Sequence, residues 1–314
     1  MMHQQAQQAG QQKGPDFAAI SYEQFQAIAP FLDSQISQSL EAALGPPPEG
    51  AGPPEHLEIE GLSGYRVPVD VFHPMGRESG AGEKRLPCVV YCHGGGMALG
   101  SPKSYRAILQ RLANSGAVVV APYFRNSPVA RFPAGVNDCL SAVIWARANL
   151  TSLSASSVMV AGESGGGCLA LTVPLLALRH GLDVTGLVDS VWADSPVCYS
   201  CDAGFPLRAE GDKDGVLDVT MRRLYSEDPR DPCAFPMNAP EEALRKLPRT
   251  AIVVYEFDPL RDEGIALYRK MLAAGHDDVD CMQLHGLTHA SMIAAGLLPA
   301  FSLRQLRRLV AFAQ

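Results

Sequence analysis

The chain has 314 residues, of which 47% are hydrophobic and 19% are charged, and its net charge is −7 at pH 7. This apolar content excludes a wholly disordered chain, and the length is enough for one large core or two small ones. The acidic balance argues against nucleic acid as the main partner, because no basic stripe offsets the repulsion from phosphate. No apolar run approaches the roughly 20 residues that cross a bilayer, so we expect no membrane span.

The eight cysteines are scattered, and several lie within apolar runs. Buried thiols of a reducing compartment are therefore a better interpretation than a disulfide framework. Cys198 and Cys201 form a lone C-x-x-C, and no second pair or nearby histidine cluster completes a zinc site. The sequence begins Met1-Met2 without a charged region and an apolar region of a secretion signal, so a cytoplasmic location is expected.

The N-terminal part predicts an arm followed by helices. Residues 1–18 are rich in glutamine and contain little that could be buried, which predicts a mobile arm. Within residues 19–50, apolar side chains recur at spacings of three or four, which is typical of a helical face. Pro30 would remove an intrahelical hydrogen bond, so we predict two helices here, the second beginning near Pro30.

Strand and helix patterns then alternate to the end of the chain. The segments Leu57–Glu60 and Tyr65–Phe72 predict an antiparallel pair of strands. Continuous apolar runs predict six further strands: Pro87–Cys92, Ala117–Tyr123, Ser157–Ala161, Val188–Ala193, Ala251–Phe257 and Val279–His285. Helical patterns lie between them, near Tyr105–Ser115, Ala134–Leu150, Cys168–His180 and Asp262–Ala274. Because continuous hydrophobic strands are buried on both faces, the sequence predicts an α/β fold with a mostly parallel sheet flanked by helices.

Residues 196–246 interrupt this alternation with turns and short helical stretches. We interpret this segment as an insertion that lies over the edge of the sheet and forms a cap together with the N-terminal helices. The α/β domain then comprises residues 51–195 and 247–314.

One motif indicates a nucleophile. A predicted strand leads into Gly162-Glu163-Ser164-Gly165-Gly166, a G-x-S-x-G motif that a helical pattern follows. Such a motif is the signature of a nucleophile elbow, a sharp strand-to-helix turn that presents its serine. The turn holds Ser164 in a sparsely populated backbone conformation, so glycines flank it. The alternative is a glycine-rich turn that only packs a helix on the sheet, and the strand before the motif and the helix after it favour the nucleophile.

A second motif indicates an oxyanion hole. His93-Gly94-Gly95-Gly96 follows an earlier predicted strand, and consecutive glycines let main-chain N–H groups point into a cavity. Such donors stabilise the oxyanion of a tetrahedral intermediate without a metal or a cofactor. We expect the N–H groups of Gly95, Gly96 and Gly165 to form this hole, with a shift by one residue to Gly94 as the alternative. His93 is interpreted as a structural histidine that holds the loop.

The candidate acid is Asp258, because it directly follows a buried strand and can reach a ring nitrogen above the sheet. Glu256 is a weaker candidate. Asp262 and Glu263 fit the first turn of the next helix, where acidic side chains offset the helix dipole.

Two histidines are candidates for the base. His285 ends the last predicted strand, whereas His289 lies on the following loop and is favoured, since functional groups often sit on loops after rigid strands. The order Ser164, Asp258, His289 along the chain is the order expected after a G-x-S-x-G elbow. The other histidines are expected to be exposed to solvent: His3, His56, His73, His180 and His276.

On these motifs the sequence resembles the hormone-sensitive-lipase-like family of α/β-hydrolases, also called family IV esterases, from about His56 to the C-terminus. The H-G-G-G and G-x-S-x-G motifs, Asp258-Pro-Leu-Arg-Asp262 and the Gly286-x-x-His289 ending all have counterparts there. So does the segment Phe124-Arg-Asn-Ser-Pro128.

Four residues depart from the family pattern. Phe124 stands where a tyrosine is usual, Gly165 stands for alanine, and Ala290-Ser291 replaces Gly-Phe after His289. These changes concern the choice of substrate more than catalysis.

The resemblance implies an eight-stranded, mostly parallel sheet under a helical cap. It also implies a serine carboxylesterase that hydrolyses short-chain esters through a Ser-His-Asp triad and an acyl-enzyme. Hydrolysis of a lactone, carbamate or amide on the same triad is an alternative, and a non-catalytic small-molecule receptor is a third that the presence of both acid and base disfavours. Apolar residues of the insertion are candidates for the pocket wall: Tyr199, Phe205, Leu207, Met221 and Leu224. The edge strand Val279–His285 and the resemblance both point towards a homodimer.

Overall fold

The computed structural model describes residues 20–76, 85–127, 129–199 and 222–314. The predicted arm at residues 1–18 and much of the predicted insertion therefore lie outside the described residues. The same holds for Pro128, Cys201, Phe205, Leu207 and Met221, which are named above.

Eight strands form one sheet. They are β1 (Glu55–Glu60), β2 (Arg66–Phe72), β3 (Leu86–Cys92), β4 (Val118–Pro122), β5 (Ala155–Glu163), β6 (Ser190–Asp194), β7 (Arg249–Phe257) and β8 (Val279–Thr288). Their order across the sheet is β1-β2-β4-β3-β5-β6-β7-β8. The β1–β2 and β2–β4 pairs are antiparallel and all other pairs are parallel. The predicted antiparallel pair and the mostly parallel sheet are confirmed.

Helices cover both faces of the sheet. They are α1 (Tyr22–Leu44), α2 (Pro102–Asn114), α3 (Ala134–Ala148), α4 (Gly165–Arg179), α5 (Val184–Leu187), α6 (Glu241–Arg245), α7 (Arg261–Ala273) and α8 (Pro299–Phe312). One core lies between the sheet and α3, α4 and α7, and a second core lies between the sheet and α2 and α8. Within β5 the side chain of Val160 belongs to the first core and that of Met159 to the second, as the period of a strand buried on both faces requires. No helix in the described ranges has the length and apolar character of a bilayer span.

The prediction of two N-terminal helices is wrong. A single helix, α1, runs through Pro30, which lies on its exposed side. The apolar stripe keeps its register across the proline, with Phe25 and Ala29 before it and Leu44 at the end all buried. A continuous helix keeps the stripe on one side, where its residues are buried or partly buried, and this packing outweighs the one hydrogen bond that the proline removes.

Helix α1 contacts segments close to the H-G-G-G motif, whose residues Gly94, Gly95 and Gly96 are called the glycine turn below. The Tyr22 hydroxyl donates to the carbonyl of Ser127, and Asp33 Oδ1 accepts the N–H of Gly100 at 2.6 Å. Phe25 packs with Leu99 in a small apolar cluster. The helix therefore touches the chain a few residues after the H-G-G-G motif.

His276 also differs from its prediction. It was expected in an exposed turn, but it is only 5% exposed. Its N–H closes the end of α7 by donating to the carbonyl of Met271 at 3.0 Å, which draws the ring into the protein. Burial lowers the pKa of this imidazole.

Candidate active site

Ser164 stands at a sharp turn between β5 and α4. Its backbone has φ 57° and ψ −121°, in a region that residues other than glycine rarely occupy. Its N–H donates to the carbonyl of Asp194 at 2.9 Å, which ties the turn to the end of β6. A Cβ on Gly162 would lie 2.4 Å from the carbonyl oxygen of Gly166, and one on Gly166 would lie 2.0 Å from that of Cys92. Both flanking positions therefore need glycine.

The structure brings the side chains of Ser164, His289 and Asp258 together. His289 Nε2 lies 2.9 Å from Ser164 Oγ, and His289 Nδ1 lies 3.0 Å from Asp258 Oδ1. The N–H of Leu260 also donates to Asp258 Oδ1 at 2.8 Å and holds the carboxylate in place. Asp258 is fully buried, whereas the His289 side chain is 34% exposed. The arrangement aligns a hydroxyl, an imidazole and a carboxylate, and solvent can reach the imidazole.

The surroundings of His289 make it a stronger base than free histidine. Burial alone would lower the pKa of the imidazole, but the hydrogen bond and the charge of Asp258 outweigh burial. The carboxylates of Asp194 and Glu163 act in the same direction. The net result is a pKa above the ordinary value of 6.5.

His285 and Glu256, the alternative base and acid, lie apart from this cluster. The His285 side chain is 73% exposed, and its Nδ1 is 3.6 Å from Glu256 Oε2. The same oxygen accepts the N–H of Gly286 at 2.7 Å, so Glu256 holds the end of β8.

The glycine turn lies beside the nucleophile. Gly95 and Gly96 have φ values of 100° and 64°, which favour glycine. The N–H of Gly94 donates to Glu163 Oε1 at 2.6 Å, so that N–H is already committed, which disfavours the alternative placement of the oxyanion hole. The N–H groups of Gly95 and Gly96 have no acceptor among the described residues. Gly165, the first residue of α4, lies directly against Gly96.

His93 is buried beneath the turn. Its Nδ1 lies 2.8 Å from the carbonyl oxygen of Gly94, and its ring stacks on Phe124 with 4.2 Å between centroids. Burial lowers the pKa of His93 to about 4, so the ring is neutral near pH 7. These contacts fit a side chain that holds the loop.

Two buried carboxylates near the site were missed in the sequence. Glu163 is 1% exposed and Asp194 is fully buried. Asp194 accepts the hydroxyl of Tyr255 at 2.8 Å, and burial raises its pKa to about 7. Each is a charged residue at the end of an apolar strand, and that pattern is the signal that could have identified them.

Glu263 does more than begin a helix. Its Oε2 accepts the N–H groups of Cys198 and Tyr199 at 2.9 Å each, and its Oε1 accepts Arg222 at 2.6 Å. The guanidinium of Arg222 in turn lies 4.4 Å from the centre of the Tyr199 ring. These contacts hold the described part of the segment that follows β6.

Two of the predicted pocket-wall residues border a cavity. Tyr199 and Leu224 line a space of about 460 Å³, together with Tyr22 from α1 and Arg131. In the described ranges, no group of three or more histidine, cysteine, aspartate or glutamate side chains could hold a metal ion.

The sequence of this chain is similar to those of known esterases. The model of a family described as alpha/beta hydrolase fold matches residues 89–293. The chain is 29% identical over 278 residues to an arylesterase of Saccharolobus solfataricus, which covers 85% of this chain and 84% of that protein. It is 30% identical over 241 residues to esterase LipI of Mycobacterium tuberculosis, with 73% of each chain covered.

Solved structures of esterases also superpose well on this chain. Brefeldin A esterase, described as a bacterial homologue of human hormone sensitive lipase, superposes with a TM-score of 0.80 at 33% identity and covers 96% of this chain and 87% of its own. A hyperthermophilic esterase of the archaeon Pyrobaculum calidifontis superposes with a TM-score of 0.78 at 27% identity, covering 99% of this chain and 96% of its own.

Proposed function

The chain belongs to the alpha/beta hydrolase family, among carboxylic ester hydrolases related to hormone-sensitive lipase, and from that premise we propose that Ser164, His289 and Asp258 form its catalytic triad. The observation that carries the proposal is the 2.9 Å between Ser164 Oγ and His289 Nε2, with Asp258 on the other ring nitrogen. A nucleophile, its base and an orienting acid are thus within hydrogen-bond reach of one another.

In the first half of the reaction, Ser164 Oγ attacks the ester carbonyl carbon while His289 Nε2 takes the hydroxyl proton. The carbonyl oxygen becomes an oxyanion, which the N–H groups of Gly95, Gly96 and Gly165 stabilise. The tetrahedral intermediate then collapses, the bond to the alcohol oxygen breaks, and His289 gives its proton to the leaving alcohol. The product of this half is an acyl-enzyme on Ser164.

In the second half, water attacks the acyl-enzyme and loses a proton to His289. The intermediate releases the carboxylic acid, and the proton returns to Ser164 Oγ. Throughout, Asp258 holds the imidazole in the tautomer with Nδ1–H and stabilises the imidazolium as it forms.

We assign short-chain esters as the substrates, with residues 19–50 and 196–246 as a cap over the site. The contacts of α1 with Leu99 and Gly100, a few residues after the H-G-G-G motif, support a place for α1 in this cap. The position of β8 at the sheet edge supports a homodimer, because an edge strand presents unpaired backbone groups.

Fluorophosphonate labelling and a series of p-nitrophenyl esters test the proposal. We expect stoichiometric labelling at Ser164 in the wild type, none in Ser164→Ala, and normal labelling in Ser39→Ala, which changes an exposed serine of α1. Turnover should be greatest for acyl chains of a few carbons. Labelling at another residue would refute the triad, and a preference for long acyl chains would refute the substrate class.

A further inference from the structure

A buried carboxylate adjacent to the nucleophile has no part in the proposed triad. Glu163 Oε1 accepts the N–H of Gly94 and the hydroxyl of Tyr105, each at 2.6 Å. Its Oε2 accepts the hydroxyl of Tyr91 at 2.7 Å. A glutamate is rarely buried to this extent, and here three donors satisfy it.

The bond to Gly94 depends on the absence of a side chain there. A Cβ on Gly94 would lie 2.3 Å from Glu163 Oε1 and 3.0 Å from the hydroxyl of Tyr105, so a side chain there would displace the carboxylate from this bond. Gly94 directly precedes Gly95 and Gly96, and Glu163 directly precedes Ser164. One side chain therefore joins the backbone that carries the nucleophile to the backbone of the glycine turn.

We propose that Glu163 is a positioning residue that fixes the glycine turn relative to Ser164 through its hydrogen bond to the Gly94 N–H. The inference rests on the function proposed above, because it takes the turn as the oxyanion hole. The amides of such a hole act only when they lie about 2.7–3.1 Å from the developing oxyanion. A loss of this link lets the turn move and weakens the stabilisation of the transition state.

The carboxylate also acts through its charge. The titratable groups that face it are Tyr91 on β3, Tyr105 on α2, Asp194 on β6 and His289 after β8. Burial raises the pKa of Glu163 to about 7, although its hydrogen bonds oppose this shift. Above that pH the carboxylate is charged and contributes to the raised pKa of His289, so a permanently neutral side chain at residue 163 lowers the pKa of the base.

Two substitutions separate position from charge. In Glu163→Gln the amide oxygen can still accept the Gly94 N–H, but the charge is lost. In Glu163→Asp the charge remains, but the side chain is one methylene shorter and cannot keep the same contacts. Asp70→Asn is a matched control, since Asp70 is a buried carboxylate on β2 that also accepts a tyrosine hydroxyl, that of Tyr123 at 2.8 Å.

The experiment measures kcat and KM for p-nitrophenyl acetate as a function of pH, together with the acylation burst and circular dichroism of each variant. We expect Glu163→Asp to lose about 10- to 100-fold in kcat with KM within about threefold, since a misplaced oxyanion donor affects the transition state. Glu163→Gln should keep kcat within about fivefold at high pH and move the acidic limb of kcat/KM to lower pH. Asp70→Asn should match the wild type in both.

The outcomes are distinguishable. Suppose that the wild type shows the acylation burst and that Glu163→Asp folds and has a kcat within about twofold of wild type. This result overturns the positioning role of Glu163 and leaves the proposed function standing. Equal losses in the Asp and Gln variants without a shift of the acidic limb also overturn the positioning role. A wild type with neither a burst nor labelling at Ser164 overturns the proposed function, and the inference falls with it.

Discussion

Gly165 and Gly96 approach so closely that a Cβ at residue 165 would lie 2.8 Å from the backbone nitrogen of Gly96. Glycine at residue 165 therefore lets the start of α4 pack against the glycine turn without a steric clash. The start of α4 and the glycine turn are therefore in direct backbone contact beside Ser164.

We predict that Gly165→Ala lowers kcat for p-nitrophenyl acetate by about tenfold or more, because the methyl group pushes backbone that cannot yield easily. KM should change less than kcat. Gly52→Ala is the control, since nothing lies within 4 Å of a Cβ there. A Gly165→Ala variant as active as the wild type would show that the turn has room for the methyl group.

Mutation of the two candidate histidines should affect kcat very differently. His289→Ala removes the only imidazole within reach of Ser164 in the described structure and should lower kcat by at least about 10³-fold. His285→Ala changes a side chain that is 73% exposed and should leave kcat within about twofold. Steady-state kinetics with a p-nitrophenyl ester measures both, and a comparable loss in the His285 variant would contradict the assignment of the base.

The pH dependence follows from the raised pKa of His289. The imidazole must be neutral to accept the serine proton, so activity is lost as the pH falls through the pKa of this group. Since that pKa lies above 6.5, the acidic limb of kcat/KM should be centred above pH 6.5. Asp258→Asn should move the limb to lower pH and reduce kcat by about 10⁴-fold. A wild-type limb centred well below pH 6.5 would count against the electrostatic effect of Asp258.

Helix α1 should contribute stability through its buried face alone. Phe25→Ala removes a side chain that is 1% exposed and should lower the free energy of unfolding by about 3 kcal/mol. Phe31→Ala, on the same helix, changes a side chain that is 66% exposed and should have an effect below about 0.5 kcal/mol. Urea denaturation of both variants checks this, and equal effects would mean that α1 does not dock as described.

The central strands of the sheet could be predicted from sequence because they are buried on both faces. The apolar runs, such as Pro87–Cys92, lie within strands of the structure or overlap most of one, and the predicted run Val279–His285 lies within β8, a partly exposed edge strand. The boundaries shift by a few residues, since a strand continues into polar residues such as Thr288 as long as its neighbour offers backbone partners. Reasoning from local sequence was wrong at Pro30, where it predicted a break between two helices. Packing of the helical face outweighs the one hydrogen bond that the proline removes.

Sequence motifs predicted the parts of the candidate site whose backbone they fix. They did not predict side chains that contact residues distant in the sequence. Glycine-rich motifs identified Ser164 and the glycine turn as candidates. Asp258 and His289 were identified by their positions after predicted strands. Glu163 occupies the variable position of its motif, and its contact with Gly94 joins residues that are 69 apart in the sequence. Spacing along the chain carries no information about such a contact.

The carbonyl of Ala313, next to the last residue, accepts the hydroxyl of Ser157 at 2.9 Å. Ser157 lies near the start of β5 and Ser164 directly after its end, so Ala313 lies at the other end of this strand, roughly 23 Å from the nucleophile. An affinity tag or a surface tether attached to Gln314 therefore leaves the approach to the serine open. Immobilised enzyme prepared in this way should accept the same esters as enzyme free in solution.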